Sequence, residues 1–340
     1  MQQLFCTSPG TLEWREIDAP RLGGDHEALV RPVAVARCEI DPFLTSGLFP
    51  SSEPFAVGHE AVVEIARLGD SVRGLQIGQL AVVAFQLSCG HCGACGMGHS
   101  GICEEYPTLS DYGMRPLSGI EYGGMLADLV HVPHAQAMLR PVPEGLDPIA
   151  LASVSDNVAD GYRTVAEPLA ERPGSEVLVV SHGARSTALY AVQAAYALGA
   201  SRVDFASDDD SLIAHAARLG ACPIPTDFER RAERYPIVSD CGLRAEGLRY
   251  SLASTQPEGI CYSASYLPQP ETALPLGRLY TLGIRFRIGR VHSASLLPEV
   301  LRLVAERRIR PEEVTTRVVD WEQAPEAWLE DAVKLVVSRT

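Results

Sequence analysis

The chain has 340 residues, 46% of them hydrophobic and 21% charged, the proportions of a folded globular protein with room for two domains. A formal net charge of −14, with no Lys/Arg-rich block, argues against nucleic-acid binding, which needs a cationic face. The longest apolar run, ALYAVQAAYALGA, has the length of a core helix, and MQQLFCTSPG lacks the basic start and long apolar stretch of a secretory leader. With nine cysteines, an odd number, these features predict a cytoplasmic protein that keeps reduced thiols and engages no membrane.

The first 150 residues are rich in β-branched and small residues, broken by Gly and Pro at short intervals. HEALVRPVAVARC, EAVVEIARLG and GQLAVVAFQL read as strands of an all-β lobe. Cys38 follows the first of these, and His59 directly precedes the apolar part of the second, so both would be rigidly held. A lone Cys or a lone His is ordinarily structural. Asp156 in SVSDNVADGY offers a carboxylate at the start of a predicted helix. Cys, His and carboxylate together, with a fourth position left for water or substrate, are the ligand pattern of a catalytic zinc.

A second cluster is local. Cys89, Cys92, Cys95 and Cys103 stand in CGHCGACGMGHSGIC at spacing C-x2-C-x2-C-x7-C, with five glycines to supply tight turns. Four thiolates so spaced suit a structural zinc with no open position, and the segment has too little apolar content to bury four unrelated thiols. His91 and His99 in this loop read as surface residues, and His131 reads as packing on a strand. Cys6, Cys222, Cys241 and Cys261 read as small buried hydrophobes.

Near residue 150 the texture changes. PIALASVSDNVADGYRTVAEPL reads as helix, followed by the strand EVLVV, the turn SHGARS and the helix TALYAVQAAYALG. Then come the strand RVDFAS, the helix DSLIAHAARLG, the strand PIVSDC, the helix EGLRYSLAST and the strand GICYSA. Such alternation indicates a parallel sheet built from βαβ units. LLPEVLRLVAERRI is an amphipathic helix, and VTTRVVDW and KLVVSRT look like closing strands.

Taken together, the chain resembles the zinc-dependent medium-chain dehydrogenase/reductase, or alcohol dehydrogenase-like, family along nearly its full length. The resemblance rests on Cys38-x-x-Asp41, Gly58-His59-Glu60, the four-cysteine loop, YGGMLADLVHVP, PVPEGL, the Asp156–Tyr162 segment, the EVLVV strand with its helix, and GRVHS. It implies an α/β chain: a GroES-like β-barrel catalytic domain over residues 1–152 carrying the structural-zinc lobe, a Rossmann dinucleotide-binding domain over 153–288, and a return to the catalytic domain over 289–340. It further implies a catalytic zinc on Cys38, His59 and Asp156, with Glu60 able to approach the metal and Asp41 orienting His59. A structural zinc on the other four cysteines, NAD or alternatively NADP as cofactor, an alcohol or carbonyl substrate, and a homodimer or homotetramer complete the expectation. GICYSASYLP is the segment expected to form the joining sheet edge.

Some positions depart from the family pattern. The phosphate turn keeps only Gly183, with Ser181 and Ala188 where glycine is usual; Ala184, Arg185 and Ser186 complete it. His182 lies in the same turn. The second strand ends at Ser207, where an acid for the adenosine ribose is expected, and Asp208, Asp209 and Asp210 follow with no adjacent cation in sequence. Asp208 supplies the acid if the strand end shifts by one residue. Ile40 occupies the position of a proton-relay hydroxyl, leaving Glu39, Asp41, Asp160 and Glu60 as replacement acid/base candidates; Glu39 is expected to face solvent. The expected reaction is hydride transfer between a nicotinamide and a polar secondary alcohol or its ketone. The alternative is a family member with an eroded cofactor turn that runs specialised or redox-neutral chemistry, or binds without turnover.

Overall fold

The structure, a computed structural model, describes residues 1–51, 53–118, 122–267, 269 and 271–339. Pro268 of the expected edge segment and Thr340 of the last expected strand lie outside the described residues. The chain divides into two compact units, one formed by Met1–Asp156, His292–Ala305 and Pro311–Thr340, the other by Asn157–Val291 and Glu306–Arg310.

In the first unit, Val- and Ala-rich segments bury both faces and pair into one mostly antiparallel sheet. Its order is Arg317–Asp320, Leu335–Ser338, Ala28–Ala36, Glu60–Leu68, Leu80–Val83 and Leu139–Pro141, with Val130–Val132 also pairing to Ala28–Ala36. The register places Val336 opposite Ala36 and Val62 opposite Ala34, so the last strand lies beside the strand that leads to Cys38. A hairpin of Gln2–Ser8 and Thr11–Glu16, not foreseen from sequence, forms a second small sheet with Phe55–Ala56. The helix Ser293–Ala305 buries Leu297, Val300, Leu301, Leu303 and Val304, as its periodicity predicted.

The second unit is an all-parallel six-stranded sheet. Its order is Cys222–Pro225, Arg202–Ser207, Glu176–Ser181, Tyr235–Asp240, Thr255–Ser263 and Arg285–Ile288, which in order of appearance is the 3-2-1-4-5-6 arrangement of a Rossmann fold. The central strand is an unbroken apolar run because helices cover parallel sheets on both faces. Ala159–Glu171 and Ser186–Ala197 pack closely through Gly161, where an added Cβ would lie 2.6 Å from Thr187 O and 2.7 Å from Ala191 N.

Two expectations need correction. The segment GICYSASYLP does not supply a free edge, because Thr255–Ser263 is paired on both sides. The edge on that side of the sheet is Arg285–Ile288, whose RFRI sequence has no continuous apolar signal. Asp156 does not start a helix either. It sits inside a π-helical turn, Val154–Val158, between Pro148–Leu151 and Ala159–Glu171. Extra residues in such a turn turn a side chain off the regular helix face, and they recur at functional sites.

Candidate metal centres and phosphate turn

Cys38 lies just past Ala28–Ala36, where the chain bends into the short helix Asp41–Thr45. Asp41 fixes that bend: its Oδ2 accepts from the Cys38 backbone N–H at 2.8 Å. His59 follows Gly58, whose φ of +88° is left-handed, and the Met125 N–H donates to Gly58 O at 2.8 Å. Gly124 of the YGGM segment is needed there, since a Cβ would come within 2.3 Å of Val57 O. The chain around His59 is therefore laid backbone against backbone, which only glycines permit. The π-turn then brings Asp156 to the same point.

The result is a buried constellation. Cys38 Sγ lies 3.1 Å from Asp156 Oδ2, and His59 Nε2 lies 3.4 Å from the same oxygen. The Cys38, His59, Glu60 and Asp156 donors all lie within 4.8 Å of one another. On a tetrahedral zinc, donors of these types would stand about 3.3–3.6 Å apart, from bonds of about 2.0 Å to N and O and 2.3 Å to S. The spacing fits. So does the state of His59, which is fully buried yet makes no hydrogen bond from either ring nitrogen. Asp41 Oδ1 stands 3.5 Å from His59 Nδ1, the nitrogen facing away from Asp156, where it can orient the ring.

The electrostatics of the site are those of a cation-binding pocket. Burial raises the Cys38 thiol well above its usual range, and the Asp156 and Glu60 carboxylates push it further. Burial opposes charging His59, but Asp41, Asp156 and Glu60 together outweigh it and lift the ring to about 9. Burial also raises Asp41. Asp156 stays low despite burial, because the His59 ring stands beside it and the Cys38 thiol donates to it. A divalent cation would reverse this competition by holding thiolate, carboxylate and neutral imidazole together.

Sequence reasoning missed Lys334. It is fully buried, with Nζ 2.6 Å from Glu60 Oε2 and donating to Arg37 O at 2.9 Å. Burial pushes Glu60 up to about 8 even against this ammonium. A lone Lys opening the apolar strand KLVVS was the available signal. Glu39 is half-buried.

The four-cysteine loop gathers its sulfurs within 4.8 Å of one another, and Cys92 Sγ lies 3.9 Å from Cys103 Sγ. A tetrahedral ZnS4 edge is about 3.8 Å. Backbone N–H groups point at the sulfurs: Cys92 N reaches Cys89 Sγ at 3.3 Å, and both Cys95 N and Glu104 N reach Cys92 Sγ at 3.4 Å. The Glu104 and Cys95 amides lower Cys92 to about 6, whereas burial raises Cys89 to about 11. Among the described residues no cysteine forms a disulfide.

In the second unit the predicted phosphate turn follows Glu176–Ser181. Gly183 adopts φ +97°, Ala184 is buried, Arg185 is the N-cap residue of Ser186–Ala197, and the Ser186 hydroxyl donates to Asn157 Oδ1 at 3.0 Å. The Ser181 hydroxyl donates to Ala184 O, closing the turn without a second glycine. Ser207 ends its strand and its Oγ accepts from Asp209 N at 3.2 Å; Asp208 is exposed, 3.5 Å from His182 Nε2. His182 stacks on Phe228 at 4.2 Å between ring centroids. The three acids are not equivalent, because Asp209 Oδ1 caps Asp210–Arg218 by accepting from Ser211 N and Leu212 N. Nor are they isolated from cations, as the sequence suggested: the Arg185 charge acts on Asp209, and Arg244 Nη1 lies 3.3 Å from His182 Nε2. Asp160 is paired to Arg163 at 2.5 Å.

Two zinc-type donor sets in the first unit and a Rossmann-type sheet in the second agree with the architecture that the sequence leads one to expect. The chain resembles the zinc-dependent medium-chain dehydrogenase/reductase, alcohol dehydrogenase-like family. Residues 24–144 match the alcohol dehydrogenase GroES-like domain. The chain is 32% identical over 226 residues to a "Probable zinc-binding alcohol dehydrogenase" of Mycobacterium tuberculosis, covering 66% of this chain and 56% of that protein. It is 30% identical over 225 residues to a glutathione-independent formaldehyde dehydrogenase of Pseudomonas aeruginosa, covering 62% and 55% respectively. The chain thus spans little more than half the length of these curated relatives. The solved alcohol dehydrogenase of Thermus sp. ATN1 superposes with TM-score 0.91 at 27% identity, over 99% of both chains.

Proposed function

We propose that this chain is a zinc-dependent oxidoreductase that moves a hydride between a nicotinamide cofactor and a polar secondary alcohol or its ketone. The observation that carries this reading is the convergence of Cys38, His59 and Asp156, buried, with both His59 nitrogens lacking hydrogen bonds. When bound there, zinc supplies Lewis acidity toward a substrate oxygen, and a nicotinamide supplies the acceptor or donor of hydride.

The protein's part is placement and charge. Cys38, His59 and Asp156 hold the metal; Asp41 keeps the His59 ring turned so that Nε2 faces the donor set. Lys334 balances Glu60 beside the ligands and keeps that carboxylate turned toward the ammonium. Ile40 has no exchangeable proton, so the relay hydroxyl of the family pattern is absent at its expected position. Gly183, Ala184, Arg185 and Ser186 line the phosphate turn, with Ser207 and Asp208 toward the ribose. Cys89, Cys92, Cys95 and Cys103 hold the structural zinc. The same reading divides the chain at residues 1–152, 153–288 and 289–340, and makes it a cytoplasmic homodimer or homotetramer. Among the described residues no helix is long and apolar enough to cross a membrane.

A second reading, specialised or redox-neutral chemistry, draws support from the phosphate turn. The Ser181 and Ser186 hydroxyls both turn inward onto Ala184 O and Asn157 Oδ1. Titrating metal-counted protein with NADH and with NADPH, followed by fluorescence, separates the two. Two zincs per chain and micromolar binding of either nucleotide support the first reading. Two zincs with no nucleotide binding move the assignment to the second, and a single zinc removes the Cys38, His59 and Asp156 centre.

A further inference from the structure

The four-cysteine loop packs against the barrel where Gly90 meets the short helix Ala135–Met138, an added Cβ on Gly90 lying 2.7 Å from Ala137 Cβ. Beside this contact, one carboxylate of the loop faces two imidazoles, one from the loop and one from the segment before Ala135–Met138. Glu105, two residues past Cys103, directs Oε1 to His91 Nε2 at 3.2 Å and Oε2 toward His134 Nε2 at 3.7 Å. The two imidazoles meet edge to face, with centroids 6.1 Å apart, and Tyr106 backs His134 edge-on at 5.9 Å.

We propose that His91, Glu105 and His134 form a third, labile site for a borderline divalent cation of the zinc class, stapling the cysteine loop to the barrel. Donors sharing one zinc through bonds of about 2.0–2.2 Å stand about 3.0–3.5 Å apart, so the first contact already has the spacing and the second is close to it. The three donors do not all lie within 4.8 Å of one another as they stand, and closing the set on a cation beside His134 requires rotation of the His91 side chain, 68% exposed, and of Glu105, 41% exposed. His134 is suited to ligation as a neutral imidazole. Burial, with His91 and His26 nearby, holds its pKa below the usual value against the pull of Glu105 and Glu27. A site of two histidines and one carboxylate keeps positions for water, unlike the closed set of four thiolates. Cys89 Sγ lies within 4.8 Å of the His91 and Glu105 donors, but its thiolate belongs to the loop's own metal, so the new cation sits just outside the loop.

The test starts from protein whose resident zinc has been counted and adds Zn2+, measuring the increment per chain by calorimetry and by metal analysis. One further equivalent is expected, removed by mild chelation while the resident metal stays, with a rise in Tm that follows the added Zn2+. Losing even an indirect partner of a metal costs about tenfold in affinity, so H91A, E105Q and H134A should each weaken the increment by about that or more. No increment in the parent protein overturns the proposal, as does an increment of unchanged affinity in any of the three variants. Because the readout is the increment, a shortfall in resident zinc would count against the proposed function and not against this site.

Discussion

Lys334 and Glu60 form an ion pair with both side chains at 0% exposure and 2.6 Å between Nζ and Oε2. Removing Lys334 leaves Glu60, already pushed up to about 8, either as an uncompensated buried charge or obliged to take up a proton. Lys334→Met should therefore cost about 3–5 kcal/mol of stability, read from urea unfolding. The double variant E60Q/K334M should recover most of that loss, because neither charge remains. A single K334M variant as stable as the parent would show that Glu60 is not carried as a carboxylate in the folded protein.

The two metal sites should come apart by mutation. Asp156 supplies the oxygen that both Cys38 and His59 approach, at 3.1 and 3.4 Å, so Asp156→Ala should drop the count by one zinc per chain. The four-thiolate metal should remain. Cys95→Ser should do the reverse, releasing the loop's zinc and lowering Tm while Cys38, His59 and Asp156 keep theirs. Metal analysis after gel filtration decides both. Loss of two zincs from either variant would mean that the centres are not independent.

Asp209 and Asp208 should behave as different residues despite their adjacency. Asp209 caps Asp210–Arg218 through Ser211 N and Leu212 N, so Asp209→Ala should cost about 1 kcal/mol while Asp208→Ala costs much less. The Ser211 hydroxyl and the capped amides hold Asp209 below its usual pKa. Its contribution is therefore complete above the unfolded value, about 3.9, and disappears as the pH falls through the lower folded value. The parent-minus-D209A difference in unfolding free energy should be full at neutral pH and shrink in acid below about pH 4. A difference that grows on acidification would contradict the assignment.

The four-cysteine loop was legible because its whole meaning lies in fifteen consecutive residues, Cys89 to Cys103. The Rossmann strands were legible because burial on both faces leaves continuous apolar runs such as EVLVV. Cys38, His59 and Asp156 became legible only in combination, since no local rule links residues so far apart. Other features depend on neighbours that the sequence does not list. Lys334 has meaning only opposite Glu60. The π-turn at Asp156 leaves the local composition helical. The edge strand Arg285–Ile288 alternates Arg with apolar residues and reads as surface. Asp209 could not be told from Asp208 and Asp210 until its Oδ1 was seen to accept from Ser211 N and Leu212 N.

In the second unit two helices meet backbone to backbone at Gly161. A methyl group there would meet Thr187 O at 2.6 Å and Ala191 N at 2.7 Å, both belonging to the helix that the phosphate turn opens. Neither atom can rotate away, so Gly161→Ala must push Ala159–Glu171 and Ser186–Ala197 apart, at about 1–3 kcal/mol. The same shift would disturb the Ser186 hydroxyl bond to Asn157 and displace Arg185 and Gly183 with the helix start. Nucleotide binding should then weaken along with Tm, while the zinc held by Cys89, Cys92, Cys95 and Cys103, which lie far from this helix in sequence, stays in place. A G161A protein with parental Tm would show that the two helices have slack here. One with lowered Tm and unchanged NADH affinity would detach the turn from the helix packing beneath it.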